Sequence, residues 1–389
     1  MPHIFGVSVV LAFLLPHTNL YLLMVNPLLC ILLMCFRKNR LQCRYNYIVL
    51  IPLSLSILFG LSQNLELKSL QTAGTLLLYF FCFPFISNYR LPNIYIYITF
   101  LVIFISQFAY IIDVPIIANL LDTFYPISEA RSNEFTYMQE HITIDNMYRY
   151  RLGGLYRNPN NCARSLTMLL AVYVILNNKK RILKLLPFIF LNYYAILLTG
   201  SRTGILIATA ILLLFIFVSM KTNKIWKWSI VFFLLFLLIA RDYTAVDLRG
   251  FNIEEGQGGI NLKFDTFVYY LNSESSLYRL LLGYVDPTKF QSKVDLIAYF
   301  DSDYGNLIFC FGFIGFISIL VYFFVLLSHL SRTGQIYFVL LFWMFSSTII
   351  MSYRAVFIFM LLLSSIYQIE HKEEKSRYSI KVHSNGFVD

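Results

Sequence analysis

The chain has 389 residues, of which 58% are hydrophobic and 13% charged, and its mean hydropathy is +0.66. Charged residues make up about a quarter of an ordinary soluble domain, so this composition excludes a water-soluble globular protein and calls for lipid as solvent. The formal net charge of +10 does not read as a nucleic-acid surface, because the basic residues sit in short turns between apolar runs and not on one continuous face.

A membrane helix needs roughly 20 mostly apolar residues. In chain order, residues 4–36 hold two shorter apolar runs split by Pro16-His17-Thr18-Asn19, which make a hairpin or one broken span. The start has neither a basic leader nor a small-residue cleavage pattern, so it is expected to stay as an anchor. Further spans are predicted near 45–62, 69–87, 94–112, 160–177, 182–199, 203–219, 225–240, 303–328, 335–350 and 354–369. The total is about 11 or 12. Abundant Phe and Tyr suit lipid-facing and interfacial positions, and equally fit an AT-rich coding bias.

Lys and Arg set the orientation of such spans by the positive-inside rule. Arg37, Lys38, Arg40 and Arg44 share one turn; Arg90, then Lys179, Lys180 and Arg181, then Lys221 and Lys224, then Arg332 follow in turns on the same side. That side is read as cytoplasmic, with the tail after Glu370. Two long segments, near 113–159 and 241–302, fall on the other side and carry most of the acidic residues. Loops longer than about 15 residues in a compact architecture are usually functional, so chemistry is expected to face outward. The six Cys lie in apolar runs or one basic turn, and the six His are scattered. Neither a disulfide framework nor a metal site is expected from that pattern.

Three patches hold residues able to do chemistry. Arg151-Leu152-Gly153-Gly154-Leu155-Tyr156-Arg157-Asn158-Pro159-Asn160 leads into the 160–177 span. It reads as an ordinary loop-to-helix junction with Asn160 as N-cap, or as an anion site built by Arg151 and Arg157 beside a helix start. Thr199-Gly200-Ser201-Arg202-Thr203-Gly204 is a tight outer turn. Its Arg either snorkels to lipid phosphate or forms a fixed fork for a phosphate ligand, which a Lys would make less well. Asp301-Ser302-Asp303-Tyr304-Gly305-Asn306 precedes the 303–328 span, in which Gly312 and Gly315 suit close helix packing. Its carboxylates are a solvated flank, or one of them is a general base.

Together these patches resemble the O-antigen polymerase and ligase superfamily, the Wzy and WaaL proteins. The likeness covers roughly residues 151–316; the first 140 residues share only their helical character. The ligase branch carries His, then Asn, Ser or Gln, then nine residues and Gly-x-x-Gly. Here the frame is Asp301-Ser302, nine residues, then Gly312-Phe313-Ile314-Gly315, and Asp in place of His favours polymerase over ligase.

The resemblance implies an all-α fold: a polytopic transmembrane helical bundle with two long periplasmic loops in the bacterial inner membrane. Its segments would be N-terminal helices over 1–112, a periplasmic loop over 113–159, central helices over 160–240, a second loop over 241–302, C-terminal helices over 303–369 and a cytoplasmic tail over 370–389. It implies a glycosyltransferase that joins undecaprenyl-pyrophosphate-linked oligosaccharide units, with no cofactor. Membrane lipid, a chain-length regulator and a flippase would be its partners. Arg202 and Asp301 become the catalytic candidates, as diphosphate clamp and general base. Arg151, Arg157, Asn158, Asn160, Lys263 and Arg279 become substrate-binding candidates. The alternatives are an O-antigen ligase, or a flippase or other transporter, which would instead show charged residues inside helices and an inverted repeat.

Overall fold

The computed structural model describes residues 2–15, 20–35, 44–63, 67–86, 89–108, 151–156, 158–219, 267–272, 274, 276–285, 303–346, 349–350 and 352–384. Among these the secondary structure is helical, with no strand. The helices are α1 (Pro2–Leu14), α2 (Leu20–Cys35), α3 (Arg44–Gln63), α4 (Leu67–Ile86), α5 (Asn93–Phe108), α6 (Pro159–Leu176), α7 (Leu186–Leu198), α8 (Arg202–Ser219), α9 (Leu277–Leu282), α10 (Asp303–Ser328), α11 (Trp343–Ser346) and α12 (Tyr353–Ser384). Among the described residues, α10 alone is long and apolar enough to cross a membrane by length and composition; shorter apolar helices occur at Pro2–Leu14, Val25–Cys35, Ile48–Ser62, Gly74–Phe83, Asn93–Phe108, Leu186–Leu198 and Arg202–Val218.

The start of α6 follows from its sequence. Asn158 is in extended conformation and its side chain accepts from the Asn160 and Asn161 amides, while Pro159 supplies the pre-set φ of a first helical residue. The cap is therefore Asn158, two residues before the expected Asn160. Every residue from Cys162 to Ile175 is buried, and α12 is likewise buried from Arg354 to Tyr367. A helix that is apolar all round belongs in the centre of a bundle, and these two helices pack on each other there.

The peripheral helices expose apolar faces. On α3, Ile48, Ile51, Leu55 and Leu58 recur at helical spacing and all are exposed. α5, α8 and α10 do the same with Leu101 and Ile105, Leu206 and Phe217, and Ile317, Val321 and Phe324. Apolar side chains exposed in such rows are uncommon on a soluble monomer.

The chain ends of the helices sort into two sets. At one end, Asn93 pairs with Asn177, Leu91 N–H donates to Ser365, and Ser331 donates to the Glu370 carboxylate. Arg90, Lys179, Lys180, Arg181 and Arg332 are exposed at that end. The other end collects the last residues of α1, α5 and α7 and the first of α6, α8, α10 and α12, and the described candidates Arg151, Asn158, Asn160 and Arg202 lie there.

Two expectations change. The 335–350 run begins as a 3₁₀ helix, Gly334–Phe342, followed by the four-residue α11. α12 runs from the expected 354–369 span on through Ser384. Most notably, α10 is interrupted: Gly312 has φ 63° and ψ −179°, a conformation only glycine adopts readily. Its neighbour in the motif behaves as expected, since Gly315 faces Ser56 and Leu53 of α3 at packing distance. The expected 225–240 span, and nearly all of the 113–159 and 241–302 loops apart from 151–156, 158–159, 267–272, 274 and 276–285, lie outside the described residues.

Candidate functional site

Two of the sequence patches come together at the start of α6. Leu152 N–H donates to Leu198 O at 3.0 Å, which ties the 151–156 segment to the end of α7. Arg151 then reaches both ways: Nη2 donates to Asn160 Oδ1 at 2.8 Å and Nε to Thr199 O at 3.4 Å. Its aliphatic stem lies over Gly200, where a Cβ would stand 3.1 Å from Arg151 Cγ.

The 199–204 turn is held by its own hydroxyls. Thr199 Oγ1 donates to Ile196 O and accepts from Ser201 N–H, and Ser201 Oγ accepts from Gly204 N–H at 3.3 Å. The Ser therefore caps α8, whose first residue is the half-buried Arg202. Gly204 lies against Ala163 of α6, which brings the two helix starts side by side. Arg151, exposed, and Arg202 thus belong to one surface although they are distant in sequence. Arg157, Lys263 and Asp301 lie outside the described residues.

The surface has a firm backing. Ser106 Oγ accepts from Leu155 N–H at 3.0 Å, and Gln107 Nε2 donates to Leu152 O at 3.2 Å and Ala195 O at 3.0 Å. Both are buried at the end of α5. They hold the Arg151-bearing segment against α7 from behind.

Beneath it lies a charged centre that sequence reading missed. Arg164 is 3% exposed, Arg354 7% and Asp303 0%. Arg164 sits four residues after Asn160, hence on the same face of α6. Asp303 and Arg354 are within electrostatic reach of it, as is Tyr156. The Arg354 guanidinium lies 4.5 Å over the Tyr156 ring, and its Nε donates to Ala12 O at 2.9 Å. Tyr156 OH in turn donates to Phe13 O. Asp303 Oδ2 accepts from the Ile349 and Ile350 amides at 2.5 and 2.8 Å. Asp303 is therefore no solvated flank; its carboxylate joins the start of α10 to the segment that leads into α12. The available signal was a lone Arg inside each of two apolar runs, which is costly unless the group is partnered and which is also one of the two features expected of the transporter alternative.

The third cluster surrounds Arg279 on α9. Arg279 Nη1 donates to Tyr284 OH at 2.9 Å, and its guanidinium is 4.8 Å over the same ring. Tyr284 OH donates in turn to the Glu274 carboxylate, which also accepts from Ser276 N–H at 3.2 Å. The hydrogen bond to Tyr284, with Glu274 nearby, holds the Arg279 guanidinium above its ordinary value, so it stays cationic at any working pH. Burial pushes the neighbouring Tyr270 phenol up.

Among the described residues no group of three or more His, Cys, Asp or Glu side chains is placed to hold a metal ion. In chemical terms the α6–α8 surface offers the fixed guanidinium of Arg151 and the half-buried Arg202 at a helix start, suited to an anion. Set against known proteins, the chain matches no family model, no curated protein and no solved structure.

Proposed function

We propose that this chain is a polytopic inner-membrane glycosyltransferase of the O-antigen polymerase type, which joins undecaprenyl-pyrophosphate-linked oligosaccharide units at the periplasmic face. The observation that carries the reading is that Arg151 contacts Thr199 and Gly200 of the 199–204 turn while Gly204 lies against Ala163 of α6, because both patches of the resemblance then serve one surface. The exposed apolar faces of α3, α5, α8 and α10 support a lipid surround. The basic turns gathered at the opposite end support an outward-facing site.

In the reaction, the bond between the donor's anomeric carbon and the diphosphate oxygen breaks, and a bond from that carbon to an acceptor hydroxyl oxygen forms. The hydroxyl proton passes to a base, for which Asp301 is the candidate, and undecaprenyl diphosphate leaves. Negative charge grows on the leaving oxygen, so Arg202 and Arg151 lower the barrier by meeting it with preorganised donors. One well-aimed donor is worth about 3 kcal/mol, roughly a hundredfold in rate. Asp303 does not compete for the base role, since its buried carboxylate is taken up by two backbone amides.

Deleting the gene and separating the host's lipopolysaccharide by size tests the reading. A polymerase leaves core carrying a single repeat unit. A ligase leaves bare core with lipid-linked polymer accumulating, and a flippase traps single units inside the cell. An unchanged ladder of long chains sinks the proposal.

A further inference from the structure

The break in α10 is filled by another part of the chain. In an unbroken helix the carbonyls of Phe309 and Cys310 would accept from residues four further on. Here they accept instead from Tyr284 N–H at 2.9 Å and Val285 N–H at 2.6 Å. Gly283, at φ 80°, and Gly312, at φ 63°, make this crossing possible. A Cβ on Gly283 would fall on the Cys310 carbonyl, and one on Gly312 on the Leu281 carbonyl. Val285 also presses on Gly60 of α3. The 276–285 segment is therefore docked into the wall between α3 and α10.

What the docked segment presents is the Glu274–Tyr284–Arg279 cluster. The Tyr284 ring stacks on Phe309 at 4.8 Å, which fixes the phenol that Glu274 and Arg279 share. Glu274 and Arg279 are half-buried, while Tyr278 and Tyr269 beside them are 70% and 46% exposed. This chemistry differs from that around Arg151. A guanidinium paired through a phenol with a carboxylate is balanced in charge, and the carboxylate would repel a diphosphate. Neutral ligands rich in hydroxyls suit it, because the carboxylate takes their protons, the guanidinium donates to their oxygens, and exposed tyrosines offer flat amphipathic rings to an apolar sugar face.

We infer that the Glu274–Arg279–Tyr284 cluster binds the neutral sugar end of the acceptor substrate. The inference rests on the polymerase reading, which requires two lipid-linked substrates, and it assigns the substrate-binding candidate Arg279 to the acceptor. Glu274 and Tyr284 become binding residues that the sequence did not single out.

The test uses the full chain in lipid nanodiscs with two probes: undecaprenyl diphosphate, and the repeat-unit oligosaccharide released by mild acid from a host strain lacking this gene. Glu274→Gln keeps the side-chain shape, and Tyr284→Phe keeps the stack on Phe309. Each is expected to weaken oligosaccharide binding about tenfold, the scale of one charge-assisted hydrogen bond, and to leave undecaprenyl diphosphate binding within about twofold. Arg202→Ala is expected to do the reverse. If wild type binds undecaprenyl diphosphate while both cluster variants bind oligosaccharide normally, the acceptor subsite is wrong and the polymerase reading stands. Loss of both ligands in Tyr284→Phe likewise overturns a selective subsite. If wild type does not bind undecaprenyl diphosphate, the polymerase reading falls and the inference with it.

Discussion

Arg151 and Arg164 lie near each other around the first turns of α6 and have opposite surroundings. Arg151 is exposed, and it reaches an amide oxygen and a backbone carbonyl through a chain that also contacts the 199–204 turn. Arg164 is closed in with Asp303 and Arg354 under the ends of α1, α10 and α12. The lesson is that a guanidinium's role follows from its access and not from its motif. At the surface it can meet an incoming anion; in the centre it lies near a carboxylate that joins the start of α10 to the segment leading into α12.

Substitutions separate the two regions by the kind of damage they cause. The largest expected effect is in the centre. Arg164→Ala leaves the Asp303 carboxylate buried beside a lost cation, which costs about 3–5 kcal/mol of stability. Thermal unfolding in detergent and the level of protein in the membrane would both fall, and a variant as stable as wild type would show that Arg164 is not a structural counter-charge. At the surface, Arg202→Ala is expected to lower polymer formation about a hundredfold, or about 3 kcal/mol in barrier, with protein level and melting temperature held. Normal polymer from that variant would remove the diphosphate clamp.

Smaller changes sharpen the contrast. Arg151→Lys keeps the charge but loses the planar fork that spans Asn160 and Thr199, so a loss of about tenfold in polymer formation is expected. Equal activity would mean that Arg151 acts only as a point charge. Smallest is Asn158→Ala, which removes the cap of α6 and is expected to cost about 1 kcal/mol in unfolding free energy. Asn158→Asp should restore it, since a carboxylate accepts from the same amides; failure of that rescue would argue against capping.

Much of the helical layout was legible because long apolar runs have little choice but to pair their own backbone groups. Pro159 and the polar residues around it announced the start of α6, although the cap proved to be Asn158. The turn at 199–204 was legible from its Gly, Ser and Thr residues between two apolar runs. Less legible was the form of the 335–350 run, since an apolar stretch carries no period that separates a 3₁₀ helix from an α-helix. The two glycines of the Gly-x-x-Gly frame look alike in sequence, yet Gly315 packs on α3 while Gly312 breaks α10. Which glycine yields depends on the Tyr284 and Val285 N–H groups being at hand to donate to the freed carbonyls, and that is a long-range contact.

By itself the sequence determined that this chain is built of apolar helices with basic turns at one end, because transfer free energy and backbone pairing are local properties of each run. Only the tertiary structure decided which charges meet: Arg151 with the 199–204 turn, Arg164 with Asp303 and Arg354, and Arg279 with Glu274 through Tyr284. The physical reason is that electrostatic and hydrogen-bond partners are set by distance in space, on the scale of a few Å, and segments far apart in the chain reach that distance only after the helices have packed.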